Sequence, residues 1–274
     1  MTNQITFEKN SFSKRLKSML TIDFRRMFTT PLFYLMVGIC LVMPILILVM
    51  TSMMDGTVNV NPQTGETTVI EGFKNVWQII GTASSASADA ASAGMQMDLT
   101  SMCNINLVYF ISSVFVCLFV SDDFRSGYAK NLFTVRAKKN DYVISKTLSC
   151  LVCGISMLIA FFVGAMIGGA ISSLSFELVG TSVGGVVMCM LSKLLLMAVF
   201  IAIFLTVSVA CKQKSWLSII CSLGASMLLF AMVPMITPIN ATFLNVVLCL
   251  AGGAMFAFGL GYVSDLILRK TNIL

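Results

Sequence analysis

Histidine is absent from this 274-residue chain. That removes the commonest general base and the commonest metal ligand, and with them any H-E-x-x-H metalloprotease helix. Charge is scarce as well. Asp, Glu, Lys and Arg make up 11% of the residues, against about 25% in an ordinary soluble domain. There is no G-x-x-x-x-G-K-[ST] loop to cradle a nucleotide phosphate. No pair of carboxylates lies inside an apolar run, as a proton or sodium relay would need. The two halves show no internal repeat of the kind found in secondary transporters. The chain alone therefore carries no visible energy source and no catalytic centre; it is not expected to be an enzyme or to bind a metal or cofactor itself.

What is present is apolar: 57% of the residues are hydrophobic. Uncharged runs recur that are long enough to cross a ~30 Å hydrocarbon core, which takes about 20 helical residues. The expected fold class is an all-α polytopic membrane protein, with six transmembrane helices in residues 31–274 after a cytoplasmic amphipathic helix in residues 1–30. The start does not read as a secretory signal, because about thirty polar and basic residues precede the first apolar run. The nine cysteines are scattered, mostly within apolar runs. Cys150 and Cys153 have redox-motif spacing but no basic neighbour in their span to lower a thiol pKa, so they read as small apolar filler.

In residues 1–30, Phe12, Leu16, Met19, Leu20, Phe24 and Met27 follow helical spacing, and Lys14, Lys17 and Arg25 fall on the other side. Such a helix suits the headgroup plane, either as a plain anchor or as a lever touching a cytoplasmic partner. Asp23 lies on the apolar side, where Arg26 one turn on is its expected partner. Pro31 marks the entry to the first span, residues 32–54, with Pro44 inside it. The loop 55–101 begins with a hairpin pattern around Asn61-Pro62-Gln63-Thr64-Gly65. A short amphipathic helix is expected next, through Phe73, Val76, Trp77 and Ile80, with Trp77 at the membrane interface. The Ser/Ala-rich residues 81–94 suit either a flexible linker or a small-residue packing helix.

The second span is expected at 102–120 and the third at 147–174, the latter with Gly164-x-x-x-Gly168, a close-packing pattern. The fourth ends at Cys211 and contains Lys193, an intramembrane charge that either snorkels to the interface, pairs with Glu177, or lines a path. Residues 215–264 hold no charge. As one helix that run would be ~75 Å long, so it must turn back, at Pro234, Pro238 and Asn240. Two spans result, 216–233 and 243–264. Asn240-Ala241-Thr242 matches a glycosylation acceptor, on weak evidence.

Six crossings put both termini on one side. Of the 18 Lys and Arg residues, six fall in 1–30, six in 121–146, two at 212–214 and two at the end. Only Lys74 lies opposite, and Lys193 lies within a span. This asymmetry orients the termini and the 121–146 elbow to the cytoplasm of a bacterial plasma membrane. It also accounts for the net charge of +6 without nucleic acid as a partner.

The elbow 121–146, SDDFRSGYAKNLFTVRAKKNDYVISK, is the longest charged segment between apolar runs. Phe124, Tyr128, Leu132 and Val135 share one helical face. Asn140 or Asp141 is placed to cap the helix that continues into the third span. A surface helix with an aromatic stripe suits a groove on a cytoplasmic partner; it also suits lying on lipid.

In layout the whole chain, and in specific residues the elbow, resembles the type-two ABC-transporter permeases, small bacterial exporter subunits of the same broad class as the ABCG-type half-transporters. The features that carry the resemblance are the amphipathic helix 11–28, the sizeable outer loop, six spans, and the run Asp122-Asp123-Phe124-Arg125-Ser126-Gly127-Tyr128-Ala129-Lys130-Asn131-Leu132, followed by basic residues and Asp141–Lys146. The resemblance implies two permease chains, homo- or heterodimeric, each docking a cytoplasmic ATPase subunit that binds ATP and Mg. Asp122, Asp123, Phe124, Gly127, Tyr128, Lys130, Leu132, Lys138 and Tyr142 would form the ATPase-coupling surface. It also implies a path lined by spans two and five, here with Asn104, Asn106, Phe110, Phe115, Met227 and Phe230, suited to an amphipathic or apolar peptide, lipid or drug, as in antimicrobial-peptide export or immunity. The connector after the fifth span is shorter than in the larger eukaryotic relatives, so the outer gate would fall to loop 55–101. The rival reading is an energy-independent channel or scaffold without an ATPase.

Overall fold

The computed structural model describes residues 12–60, 67–69, 72–81, 103–135, 139–178, 181–230 and 232–270. Nearly all of it is helix: α1 (Phe12–Thr29), α2 (Pro31–Met54), α3 (Leu107–Arg125), α4 (Tyr128–Val135), α5 (Lys139–Ile171), α6 (Val183–Cys211), α7 (Ser215–Phe230), α8 (Val233–Ile236) and α9 (Phe243–Lys270). Five of these, α2, α3, α5, α6 and α9, are long and apolar enough to span a membrane. The chain is a helical, multi-pass membrane protein. α7 is apolar too, but its 16 residues reach only about 24 Å.

The span boundaries shift where polar groups find partners. α3 starts at Leu107 rather than 102, because Asn104 turns the chain before it: its Oδ1 accepts from the Asn106 N–H at 3.0 Å. α3 then runs on to Arg125, beyond the expected end at 120, and α5 begins at Lys139 rather than 147. Each extension carries a buried charge, Asp123 in α3 and Lys146 in α5, and the two neutralise each other inside the protein. The expected fifth span divides into α7 and the short α8, with Pro234 in the first turn of α8, where a missing N–H leaves no bond unmade.

Lipid gives helices no hydrophobic reason to associate, so small residues and polar side chains carry the packing. α5 lies on α2 through its glycine pair. A Cβ on Gly164 would strike the carbonyl oxygen of Leu41 and the Pro44 ring, and one on Gly168 would come within 2.8 Å of the Ile45 Cα. The Gly164/Gly168 pattern is thus an internal seam. α7 presents Ser218, Ser222 and Ser226, all buried, at intervals of one turn. Ser222 Oγ receives the Cys117 thiol of α3 at 3.1 Å, and Ser218 Oγ lies 2.9 Å from Ser208 Oγ of α6. At the other end of α6, Cys189 reaches the Thr237 carbonyl just past α8. Taken together, α7 and α8 therefore run antiparallel along α6 from Ser208 to Cys189.

At the end away from the basic residues, β1 (Val58–Val60) and β2 (Thr67–Val69) form the expected antiparallel hairpin, with Val58 opposite Val69. The helix expected at 73–80 is a 3-10 turn, Val76–Ile79. Phe73, Val76, Ile79 and Ile80 are buried beneath it. Trp77 directs its indole N–H to the Phe176 carbonyl at 2.9 Å, and the Val76 N–H donates to the Ser175 carbonyl at 3.2 Å. This strap therefore closes over the α5–α6 connection. Residues 81–94 lie, apart from Gly81, outside the described residues.

Gly164→Leu is expected to destabilise by more than the ~1–3 kcal/mol of ordinary overpacking, because the obstacle is backbone. Gly224, in α7, has open space around a Cβ, so Gly224→Ala should leave stability unchanged or raise it by up to about 1 kcal/mol. Thermal unfolding of the detergent-solubilised protein checks both.

Candidate functional site

The basic end is organised by charges that the sequence places on apolar helix faces. On α1, Met19, Asp23 and Met27 recur at one-turn intervals and are the buried residues of that helix. On α3, Phe119 and Asp123 are one turn apart; on α5, Tyr142 and Lys146 are. Each helix therefore brings an aromatic or apolar residue and one charge to the same level.

Lys146 Nζ sits between Asp23 Oδ1 at 2.9 Å and Asp123 Oδ2 at 2.8 Å, with all three side chains at most 1% exposed. Arg26 closes the network, its NH1 on Asp123 Oδ1 at 2.6 Å and its NH2 3.5 Å from Asp122 Oδ2. Each carboxylate also accepts from a neutral hydroxyl: Tyr142 donates to Asp123 Oδ2 at 2.9 Å and Ser145 to Asp23 Oδ2 at 2.5 Å. Two aromatic faces add cation–π attraction, Phe119 under Lys146 at 3.9 Å and Tyr128 under Arg26 at 4.3 Å. Burial works against the Arg26 charge, but the Asp123 carboxylate and its hydrogen bond outweigh it and hold the guanidinium above its ordinary pKa. Two buried carboxylates thus face two cations. A second pair, Arg15 with the buried Asp141 at 2.9 Å, fixes the start of α1 to the start of α5. Lys139 donates to the Leu268 carbonyl at 2.6 Å, joining α5 to the end of α9.

This corrects several expectations. Asp23 pairs with Lys146 rather than with Arg26. Asp123, Phe124 and Tyr142, expected on a coupling surface, are buried and hold the helices to one another. The expected aromatic stripe is broken: α3 ends at Arg125, Gly127 takes a φ of +76°, and Tyr128 opens the separate helix α4. The left-handed turn needs a residue without Cβ. Of the other coupling candidates, Asp122 and Lys130 are exposed, Tyr128 and Leu132 are half-buried, and Lys138 lies outside the described residues. Arg125 and Asn131, both exposed, join Asp122 and Lys130 on the accessible rim.

The expected path residues do not share one lining within the chain. Asn104 and Asn106 are buried. Phe110 and Phe230 meet at 5.3 Å between centroids. Phe115 is buried and stacks on Phe119, whereas Met227 is 67% exposed on the outside of α7. Lys193 is buried and does not reach an interface; nor does it pair with Glu177. Its Nζ donates to Asn106 Oδ1 at 2.8 Å and Thr237 Oγ1 at 3.0 Å. The sequence pairs Asp23 with Arg26 but joins neither of them to Asp123 or Lys146. The available signal was a carboxylate on the apolar face of α1 and a lysine one turn beyond a tyrosine at the mouth of a span.

No protein-family model matches this chain, and neither a curated protein nor a solved structure matches it.

Lys146→Met leaves two buried carboxylates against each other and is expected to lose about 3–5 kcal/mol of stability. Asp122→Asn, at an exposed position, should change it by no more than about 1 kcal/mol. Adding Asp23→Asn to Lys146→Met should recover part of the loss, a non-additivity measurable as a double-mutant cycle in thermal unfolding.

Proposed function

We propose that the chain is the permease subunit of an ATP-driven exporter of the type-two ABC class. It pairs with a second permease chain, docks a separate cytoplasmic ATPase through its basic end, and moves an amphipathic or apolar substrate outward. The observation that carries the reading is the ion network of Asp23, Lys146, Asp123 and Arg26. It ties α1, the end of α3 and the start of α5 into one unit at the end of the molecule that holds most of the Lys and Arg residues. A push on the exposed rim, Asp122, Arg125 and Lys130 on the elbow with Lys14, Lys17 and Arg25 on α1, would move the membrane-embedded part of α3 and α5 together. The buried residues serve as the rigid linkage and the rim serves as the contact.

The antiparallel course of α7 and α8 along α6 supports a sixth crossing. From Ser208 to Cys189 it covers about 28 Å of helix axis, close to the ~30 Å hydrocarbon core. With six crossings both termini lie in the cytoplasm with the elbow, as the positive-inside rule requires.

Purification of the tagged chain from its native cells should bring down a phosphate-loop ATPase. Arg125→Glu combined with Lys130→Glu should reduce the recovered ATPase about tenfold or more, in keeping with loss of rim charge complementarity, without lowering the unfolding temperature. Asn131→Cys, in a chain whose native cysteines are replaced, should react with a membrane-impermeant thiol reagent only in inverted vesicles. Reaction in intact cells, or recovery of the chain without any ATP-binding protein, overturns the reading.

A further inference from the structure

Beyond the basic end, the other buried cation among the described residues is Lys193, about three turns into α6. It is 1% exposed, and its hydrogen bonds are to neutral oxygens, Asn106 Oδ1 and Thr237 Oγ1. Among the described residues no carboxylate pairs with it. An ammonium taken out of water without a counter-charge is unfavourable by several kcal/mol, and an ionisable group inside a span marks a ligand or ion site more often than a structural one. The contrast with Lys146, which has two carboxylates, is direct. Among the described residues, the Lys193 site is short of one negative charge.

An apolar cavity begins one turn further along the same face of α6. Lys193, Leu196 and Phe200 share that face at i, i+3 and i+7, and Leu196 and Phe200 line the cavity with Val233, Ile236, Cys249 and Phe256. Its volume is about 320 Å³, within the ~300–1,000 Å³ range of small-molecule pockets. Thr237, which accepts from the amine, follows the wall residue Ile236 directly. Cys189, one turn before Lys193, donates to the Thr237 carbonyl, so the roof of the cavity and the amine share one hydrogen-bonded corner. Two further wall residues, Met232 and Leu248, are also exposed on the outer surface. The cavity therefore opens sideways, toward lipid.

We propose that this cavity binds the hydrocarbon chain of a single-chain anionic amphiphile of fatty-acid type, whose carboxylate supplies the missing charge to Lys193. The chain enters laterally past Met232 and Leu248. The head group meets the amine where Asn106 and Thr237 already hold it. A neutral amphiphile gains the apolar contacts but not the ion pair, and a two-chain phospholipid has a second tail that the slot does not hold. Binding belongs to the isolated chain and requires no ATPase, so it stands or falls apart from the transport reading.

The test uses the purified full-length protein in uncharged detergent, a diazirine-bearing palmitic acid, and the matching alcohol. On irradiation the acid should label peptides of α6 and α9 that carry Leu196–Phe200 or Cys249–Phe256, and unlabelled palmitate should compete. The acid should bind about tenfold or more tightly than the alcohol, the usual effect of a hydrogen bond to a charged group. Lys193→Gln should abolish that preference, while Lys193→Arg should retain it. Gly252→Phe, which fills the cavity and leaves Lys193 intact, should remove labelling by both probes. Should Lys193→Gln not fold, the acid-to-alcohol ratio on the wild type and Gly252→Phe still decide. Equal binding of acid and alcohol, or label spread over the exposed faces of α2 and α9 without competition, overturns the proposal. Preferential labelling by a two-chain phosphatidic acid analogue also overturns it.

Discussion

A single ammonium group, that of Lys146, holds the basic end of this protein together. It lies between the carboxylates of two other helices, and neither carboxylate can reach water. Buried ion pairs contribute little net stability over well-packed apolar residues, but removing one member is strongly unfavourable. Their effect is to specify an arrangement: α1, α3 and α5 have one relative register that pairs every charge. Arg26 and Tyr142 donate to Asp123 and Ser145 donates to Asp23, so each buried carboxylate has a hydrogen bond as well as its ion pair to Lys146. The extended helices at this end follow from it. α3 can continue through Asp123, and α5 can start before Lys146, because these two buried charges meet within the protein.

Much of the architecture was legible in the sequence. Run length and the absence of charge locate the long apolar helices, and the glycine spacing at 164 and 168 marks a real seam. Asn61-Pro62 and Gly65 mark a hairpin whose two strands flank them. The ends of elements were less legible, for an identifiable reason. A hydropathy reading closes a span at the first charge, and here Asp123 and Lys146 continue their helices because their partners lie on other helices. The seryl stripe of α7 was invisible as well: serines at one-turn spacing in an apolar run show no hydropathy signal, and their role depends on Cys117 and Ser208 from two other helices.

The candidate site was legible as a region and not as a set of contacts. Charge density singled out the elbow, but it could not say which charges face inward. Asp123 and Lys130 look equivalent in the sequence; one is sealed between three helices and the other is exposed. Gly127 shows the same limit. Its neighbours fit one helical stripe, but the left-handed turn at Gly127 divides that stripe and turns Tyr128 back under Arg26. Lys193 stood out as a charge within an apolar run, yet its partners, Asn106 and Thr237, come from segments on either side of it that no periodicity joins.

The latch also has an order of assembly. Ser145, the residue beside Lys146, follows Asp23 by 122 residues. At about 5–20 residues per second, synthesis leaves the α1 carboxylate waiting on the order of ten seconds for its cation. During that interval α2 can already be inserted, while α1 has only lipid headgroups and water to satisfy Asp23. α1 is therefore made well before the helix that supplies its cation, and a chain cut short before α5 would present a bare acidic residue on an apolar face.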